Sequence, residues 1–195
     1  MASLNGMVIL CSSDIIRALG RNTRVSIAMR LKEGDKMASV EIIPAAMRKD
    51  LERVSEAPES TARSLKGPWL LFVSENGYGK RVPLSRFHSS HLNRVGLIGY
   101  KFSAEDRLAA VFVVGFSVAE GGESDEQVVL VSQSGTVNRI KVRDISIQSR
   151  YASTFSRGII LMRLDLAGKI PSASLISATD EVPEIEVDDE SAIHG

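Results

Sequence analysis

Apolar residues along this chain come in short runs broken by glycine and polar residues, the spacing of strands rather than helices. Residues 70–82 read LLFVSENGYGKRV and residues 128–140 read VVLVSQSGTVNRI. Each is an apolar run, a polar turn with glycine and a second run carrying basic residues, which predicts a β-hairpin. Four of the 13 positions are identical: Val73/Val131, Ser74/Ser132, Gly77/Gly135 and Arg81/Arg139. Gly77 and Gly135 supply the positive φ of a tight turn. Leu71/Val129 and Val73/Val131 are predicted to share one face of equivalent strands.

A second pattern follows each hairpin. Residues 29–39, MRLKEGDKMAS, match residues 162–172, MRLDLAGKIPS, at five of 11 positions, and residues 100–110, YKFSAEDRLAA, are a looser counterpart. A strand pattern comes after each: 40–43, 111–114 and 173–176. One unit is therefore a hairpin, a basic loop, a short strand, a turn and a closing strand. Four strands in about 45 to 50 residues is the size of a propeller-like blade.

The first unit reads as incomplete. Asn5-Gly6 aligns with Asn76-Gly77 and Ser134-Gly135, and Asp14-Ile15 with Asp144-Ile145, but nothing upstream of Asn5 is expected to supply the first strand of that hairpin, so the blade is read as lacking its inner strand. The division is an incomplete first blade at 1–43, a linker at 44–66, a second blade at 67–118, an acidic loop at 119–126 and a third blade at 127–178. An acidic tail, expected to be disordered, occupies 179–195. In the linker, Pro44 suits a first helical turn and Met47, Leu51 and Val54 share one face, which predicts a short helix.

Composition changes this picture in two respects. The longest charge-free apolar stretch, 108–119, has 12 residues, and a membrane-spanning helix needs about 20. One cysteine, Cys11, leaves no internal disulfide or cysteine-rich zinc site and suits a reducing compartment. The opening MASLNG lacks the pattern of a secretory signal. The zero net charge hides a division: residues 180–190 hold seven acidic residues, leaving 17 acids against 24 bases in residues 1–179. A basic body with an acidic tail suggests polyanion binding, with the tail able to compete for the same surface.

The repeats resemble the C-terminal domain of DNA gyrase A and the related domain of topoisomerase IV, in a style close to plant organellar gyrases. The resemblance rests on SENGYGKRVPLSRF (74–87), SQSGTVNRIKVRDISIQSR (132–150), and GRNTR followed by MRLKEGDK (20–36). It implies an all-β fold, a β-pinwheel of four-stranded blades, of which this chain holds a partial array of about two and a half. It also implies a module that wraps duplex DNA around its basic rim in support of negative supercoiling. The implied partners are duplex DNA, the remainder of gyrase A and the gyrase B subunit, with no membrane. No cofactor is implied for this chain, whereas ATP and Mg belong to the full gyrase. The implied location is the chloroplast, the mitochondrion or both, the alternative being a bacterial-type cytoplasm. The family's basic, glycine-rich box is not found. Its nearest counterpart, residues 93–99, has lost most of its charge. Residues 151–156, YASTFS, look like an insertion, and the breakage-reunion domain with its catalytic tyrosine lies outside this chain.

Duplex wrapping needs cations along a curved edge, because each neutralised phosphate releases condensed counterions. The candidates are Arg17, Arg21 and Arg24 in the first unit, and Lys80, Arg81, Arg86 and Arg94 in the second. The third unit offers Arg139, Lys141, Arg143, Arg150 and Arg157. Arg30, Lys101 and Arg163 sit at the second pattern. Aromatics number ten and are not interleaved with the bases, which argues against stacking on single strands. Trp69, Phe72, Met29 and Met162 read as core. The Gly77–Arg81 stretch fails the phosphate-loop spacing, His88 and His91 lack a third ligand, and residues 115–119 lack the last glycine of a nucleophile elbow. No residue carries a catalytic signal, so this chain alone is read as non-catalytic. The rival reading is a free-standing propeller-like module whose basic rim meets an acidic protein partner.

Overall fold

The computed structural model describes residues 1–21, 25–45, 67–115, 125–150, 157–164 and 168–176. Their regular structure is antiparallel β-sheet with three short 3-10 turns. The strands are β1 (Ala2–Ser3), β2 (Met7–Val8), β3 (Met37–Ser39), β4 (Trp69–Ser74), β5 (Tyr78–Pro83), β6 (Leu97–Ile98), β7 (Leu108–Val114), β8 (Gln127–Val131), β9 (Val137–Lys141), β10 (Ile159–Ile160) and β11 (Ser172–Ile176). They form three sheets, ordered β3-β1-β2-β6, β10-β5-β4-β7 and β11-β8-β9. These are three blades.

Two expectations are corrected. The first blade does have its inner strand: β1 pairs with β2 and β3, Ala2 lying opposite Val8 and Ser39. A strand of two residues has no periodicity to read, so the pattern could not show it. The blades are also not contiguous in sequence. The short strands of the second and third units leave their own blades and close the preceding ones, β6 on β2 and β10 on β5. The amides of Gly99 and Tyr100 donate to the Gly6 carbonyl, and those of Leu161 and Met162 to the Gly77 carbonyl. A two-residue strand gains its place from this seat on the neighbouring turn, not from its own propensity.

The hairpins repeat as read. Gly77 and Gly135 have φ of +82° and +83°. Val73 faces Gly79, and Val131 faces Val137, in the same register. The 3-10 turns Ser13–Ile15, Leu84–Arg86 and Val142–Asp144 follow the hairpins at one equivalent point. That alignment pairs Asp14 with Arg143, one residue away from the sequence-based match to Asp144.

Alternation along β4 explains how the blades cohere. Leu70 and Phe72 point into a core shared with Val8 of the first blade. Leu71 and Val73 point the other way, into a core shared with Val128 and Leu130 of the third. Both faces of the middle blade are thus buried, and each fully buried Leu, Phe or Val contributes roughly 1.5–3 kcal/mol. Met29 and Met162 are buried, as read. Glu126, assigned to the acidic loop, is fully buried and accepts a hydrogen bond from the Gly115 amide at 2.7 Å. The predicted helix at 47–54, the rest of the acidic loop, the 151–156 insertion and the tail lie outside the described residues.

Candidate nucleic-acid interface

β6 and β10 are edge strands of their blades, and exposed cations flank each on both sides. Arg94 and Lys101 bracket β6, while Arg157 and Arg163 bracket β10. Arg30, exposed, occupies the place of Lys101 and Arg163 in the first unit. The corresponding edge of the third blade is β9, which carries exposed Arg139 and Lys141 and leads into exposed Arg143. Arg86, exposed, ends the 3-10 turn after β5. One edge of three successive blades is therefore lined by positive charge.

Several of these cations are already held in place. Arg139 donates from Nε to Gln127 Oε1, and Arg143 lies 3.7 Å from Asp125. Half-buried Arg150 donates to the Ile98 carbonyl at 3.4 Å, with its guanidinium 5.4 Å from the Phe87 ring centre. Such anchoring limits the side-chain entropy lost when phosphate is gripped. Arg17 and Arg21 are exposed; Arg24 lies outside the described residues.

Lys80 and Arg81 are corrected out of the set. Lys80 is 1% exposed, donates from Nζ to the Ser149 carbonyl at 3.1 Å and lies 4.8 Å from the Tyr100 ring centre. Burial lowers its pKa to about 8. Arg81 is buried, donating from Nε to the Ile145 carbonyl at 2.7 Å and from Nη2 to the Arg143 carbonyl at 3.0 Å, with its guanidinium 4.9 Å from the Trp69 ring. Their charge is spent on carbonyls of the third unit, so they join blade 2 to the loop after β9. Tyr100 joins units too. Its hydroxyl donates to the Arg157 carbonyl, and burial, with a smaller effect from Asp106, pushes the phenol pKa up.

A second ladder escaped the sequence reading. Lys36, Arg107 and Lys169 occupy equivalent exposed positions just before β3 and β7 and, in the third unit, β11. They lie at the opposite edge of the blades. Lys169 forms an ion pair with Glu75 at 2.9 Å, which ties blade 3 to blade 2. The signal was available: KEGDK, SAEDR and DLAGK all end in a base. Buried Asp35 and Asp106 belong to the same pattern, accepting the amides of Asn5 and Asn76 at 3.0 Å. They fasten each hairpin turn to the loop that leads to the closing strand.

The family described as DNA gyrase C-terminal domain, beta-propeller, matches residues 1–44, 68–115 and 126–170, one segment per unit. The chain belongs to that family. The chloroplastic/mitochondrial DNA gyrase A protein of Nicotiana benthamiana is 74% identical over 186 residues, covering 95% of this chain and 20% of that protein. The protein of the same name from Arabidopsis thaliana is 71% identical over 181 residues, covering 93% and 18%. Among solved structures, the C-terminal domain of DNA topoisomerase IV superposes with a TM-score of 0.68 at 18% identity, over 92% of this chain and 46% of that one. The DNA gyrase A C-terminal domain gives 0.65 at 27% identity, over 89% and 48%. This chain thus spans about a fifth of the length of the curated relatives it matches. The names of the plant relatives place it among organellar gyrases.

Proposed function

We propose that this chain binds and bends duplex DNA along its cationic edge, as part of a gyrase A protein in an enzyme that introduces negative supercoils. The observation that carries the reading is the repeated placement of exposed Arg and Lys beside the edge strands of successive blades, in a chain that belongs to the gyrase C-terminal family. The interface comprises Arg30, Arg86, Arg94, Lys101, Arg139, Lys141, Arg143, Arg150, Arg157 and Arg163, with Arg17 and Arg21 extending it. Phosphate contacts of this kind position a duplex without reading its sequence. The DNA follows the curve because each further blade adds contacts that offset the bending energy, of order 1–6 kcal/mol for a 40–90° bend over a 20–30 bp site. Strand cleavage is assigned to the remainder of gyrase A. ATP and Mg act with gyrase B and not on this chain.

Sealing a nicked circular duplex in the presence of the protein tests the reading, because a bent path trapped by ligase is retained as a change in linking number. The topoisomer distribution should move in one direction as the ratio of protein to DNA rises. Binding with an unmoved distribution would contradict the proposal.

A further inference from the structure

The segment after the second and third 3-10 turns lies along the outer edge of the preceding blade, Leu10 bridging Ser89 and Arg81 bridging Ile147 in the same way. The two junctions are then fastened differently. In the first, main-chain bonds continue the seam: the Asn93 amide donates to the Ala28 carbonyl and the Arg30 amide to the Arg94 carbonyl, both at 2.9 Å. Buried Ile9 and Met29 pack together there. In the second junction the segment is four residues longer, 145–160 against 87–98. Lys80 stands in the place of Ile9, and Tyr100 in that of Met29. Both are 1% exposed. The Lys80 ammonium donates to the Ser149 carbonyl at 3.1 Å, and the Tyr100 hydroxyl donates to the Arg157 carbonyl. The two groups also support each other. Lys80 Nζ lies 4.8 Å from the Tyr100 ring centre, and that ring stacks on Phe102 at 4.3 Å. Burying an ammonium is costly, and an apolar side chain fills the same place in the first blade without that cost.

We propose that Lys80 and Tyr100 are positioning residues of the DNA edge, gripping the two ends of the longer connection at Ser149 and Arg157 and so setting Arg150 and Arg157 for phosphate. The inference rests on the DNA-binding reading and deepens it. Neither Lys80 nor Tyr100 reaches phosphate itself, since each is buried. Arg150 follows the gripped Ser149 directly, and its guanidinium reaches the Ile98 carbonyl of β6, on the edge of the first blade. Arg157 bears the carbonyl that Tyr100 holds and leads into β10, on the edge of the second. One pair of buried groups thus places two cations on the edges of adjacent blades. A cation fixed before it meets phosphate loses less side-chain entropy on binding, which raises affinity without adding a contact. At the first junction main-chain bonds do the same for Arg94.

Duplex affinity across a salt series, read by fluorescence anisotropy on the full chain, tests this with two variants. Lys80→Met keeps the aliphatic stem, and Tyr100→Phe removes only the hydroxyl. Ser149 and Arg157 are exposed, so water can take up the freed carbonyls, and both variants should keep the parent's far-UV circular dichroism. Should either lose it, the other carries the same comparison. Each should weaken binding at low salt by about two- to tenfold, the effect of releasing one long side chain. The double variant Arg150→Ala, Arg157→Ala should bind more weakly than the parent, with a salt slope shallower by up to about 0.9 per lost contact. In that background Lys80→Met and Tyr100→Phe should have no further effect, because the side chains they position are gone. A purely structural role would leave their loss undiminished there. Three results overturn the proposal while leaving the DNA-binding reading in place: variants at Lys80 and Tyr100 that bind like the parent, a double-alanine variant that does so, or a loss that persists in the double-alanine background. A parent whose affinity ignores salt overturns both.

Discussion

Lys80 shows how position in the array redefines a residue. On an edge strand a lysine faces water, but β5 belongs to the middle blade, and both of its faces are covered. Desolvation disfavours the charged form and lowers the pKa to about 8, against an ordinary 10.5. The Ser149 carbonyl and the Tyr100 ring counter part of that effect. Below about pH 8 the folded state holds a charge it would rather shed. Above that value the unfolded chain binds the extra proton, so stability rises with pH. The rise should end near pH 10, where Tyr100, with its raised folded pKa, begins to act in the opposite sense. Urea midpoints should climb through this window in the parent and lose that component in Lys80→Met, and an equal climb in both would refute the assignment. The turn glycines give a second prediction at this scale. Gly135→Ala should cost about 1–2 kcal/mol for its left-handed backbone alone. Gly77→Ala should cost clearly more, because its Cβ would also displace the Met162 carbonyl. Equal losses in thermal melts would mean that β10 is not seated on that turn.

At the scale of the element, the exchanged strand separates what the sequence shows from what it hides. The two long hairpins were legible because apolar runs, a glycine turn and identical register all fall within 13 residues. The exchange was not, since Leu97–Ile98 and Ile159–Ile160 are too short to declare a partner, and the partner lies in another unit. The same reason hid the burial of Arg81: its chain neighbours read as a half-exposed strand, and only the third unit's loop makes it internal. The surface cations were legible as a class, but their edge emerged only from the strand order. Leu161, 4% exposed and packed where a side chain at Gly79 would stand, belongs by sequence to the third unit and by packing to the second blade. Leu161→Ala should therefore cost about 2–5 kcal/mol. Hydrogen exchange should show the loss of protection first in β5, with β8 and β9 less affected. Loss confined to β8 and β9 would contradict the exchange.

For the whole molecule, three blades joined by exchanged strands set cations along one edge, while seven carboxylates lie within residues 180–190. A tethered acidic segment has a high local concentration and competes with phosphate most strongly where the Debye length is long. Truncation after Ala178 should raise duplex affinity at low salt, with a gain that shrinks as salt is added, and equal affinity of both forms at low salt would exclude competition. The central claim is that exposed Arg and Lys grip phosphates. The measurement that addresses it most directly is the dependence of duplex affinity on salt for the parent and for the triple variant Arg139→Ala, Lys141→Ala, Arg143→Ala. Each phosphate contact contributes about −0.9 to the slope of log affinity against log salt on B-form DNA. The account predicts a steep linear fall for the parent, a slope shallower by up to about three contacts for the variant, and similar losses across duplex sequences. A parent whose affinity ignores salt, or a triple variant with the parent's slope, would contradict it.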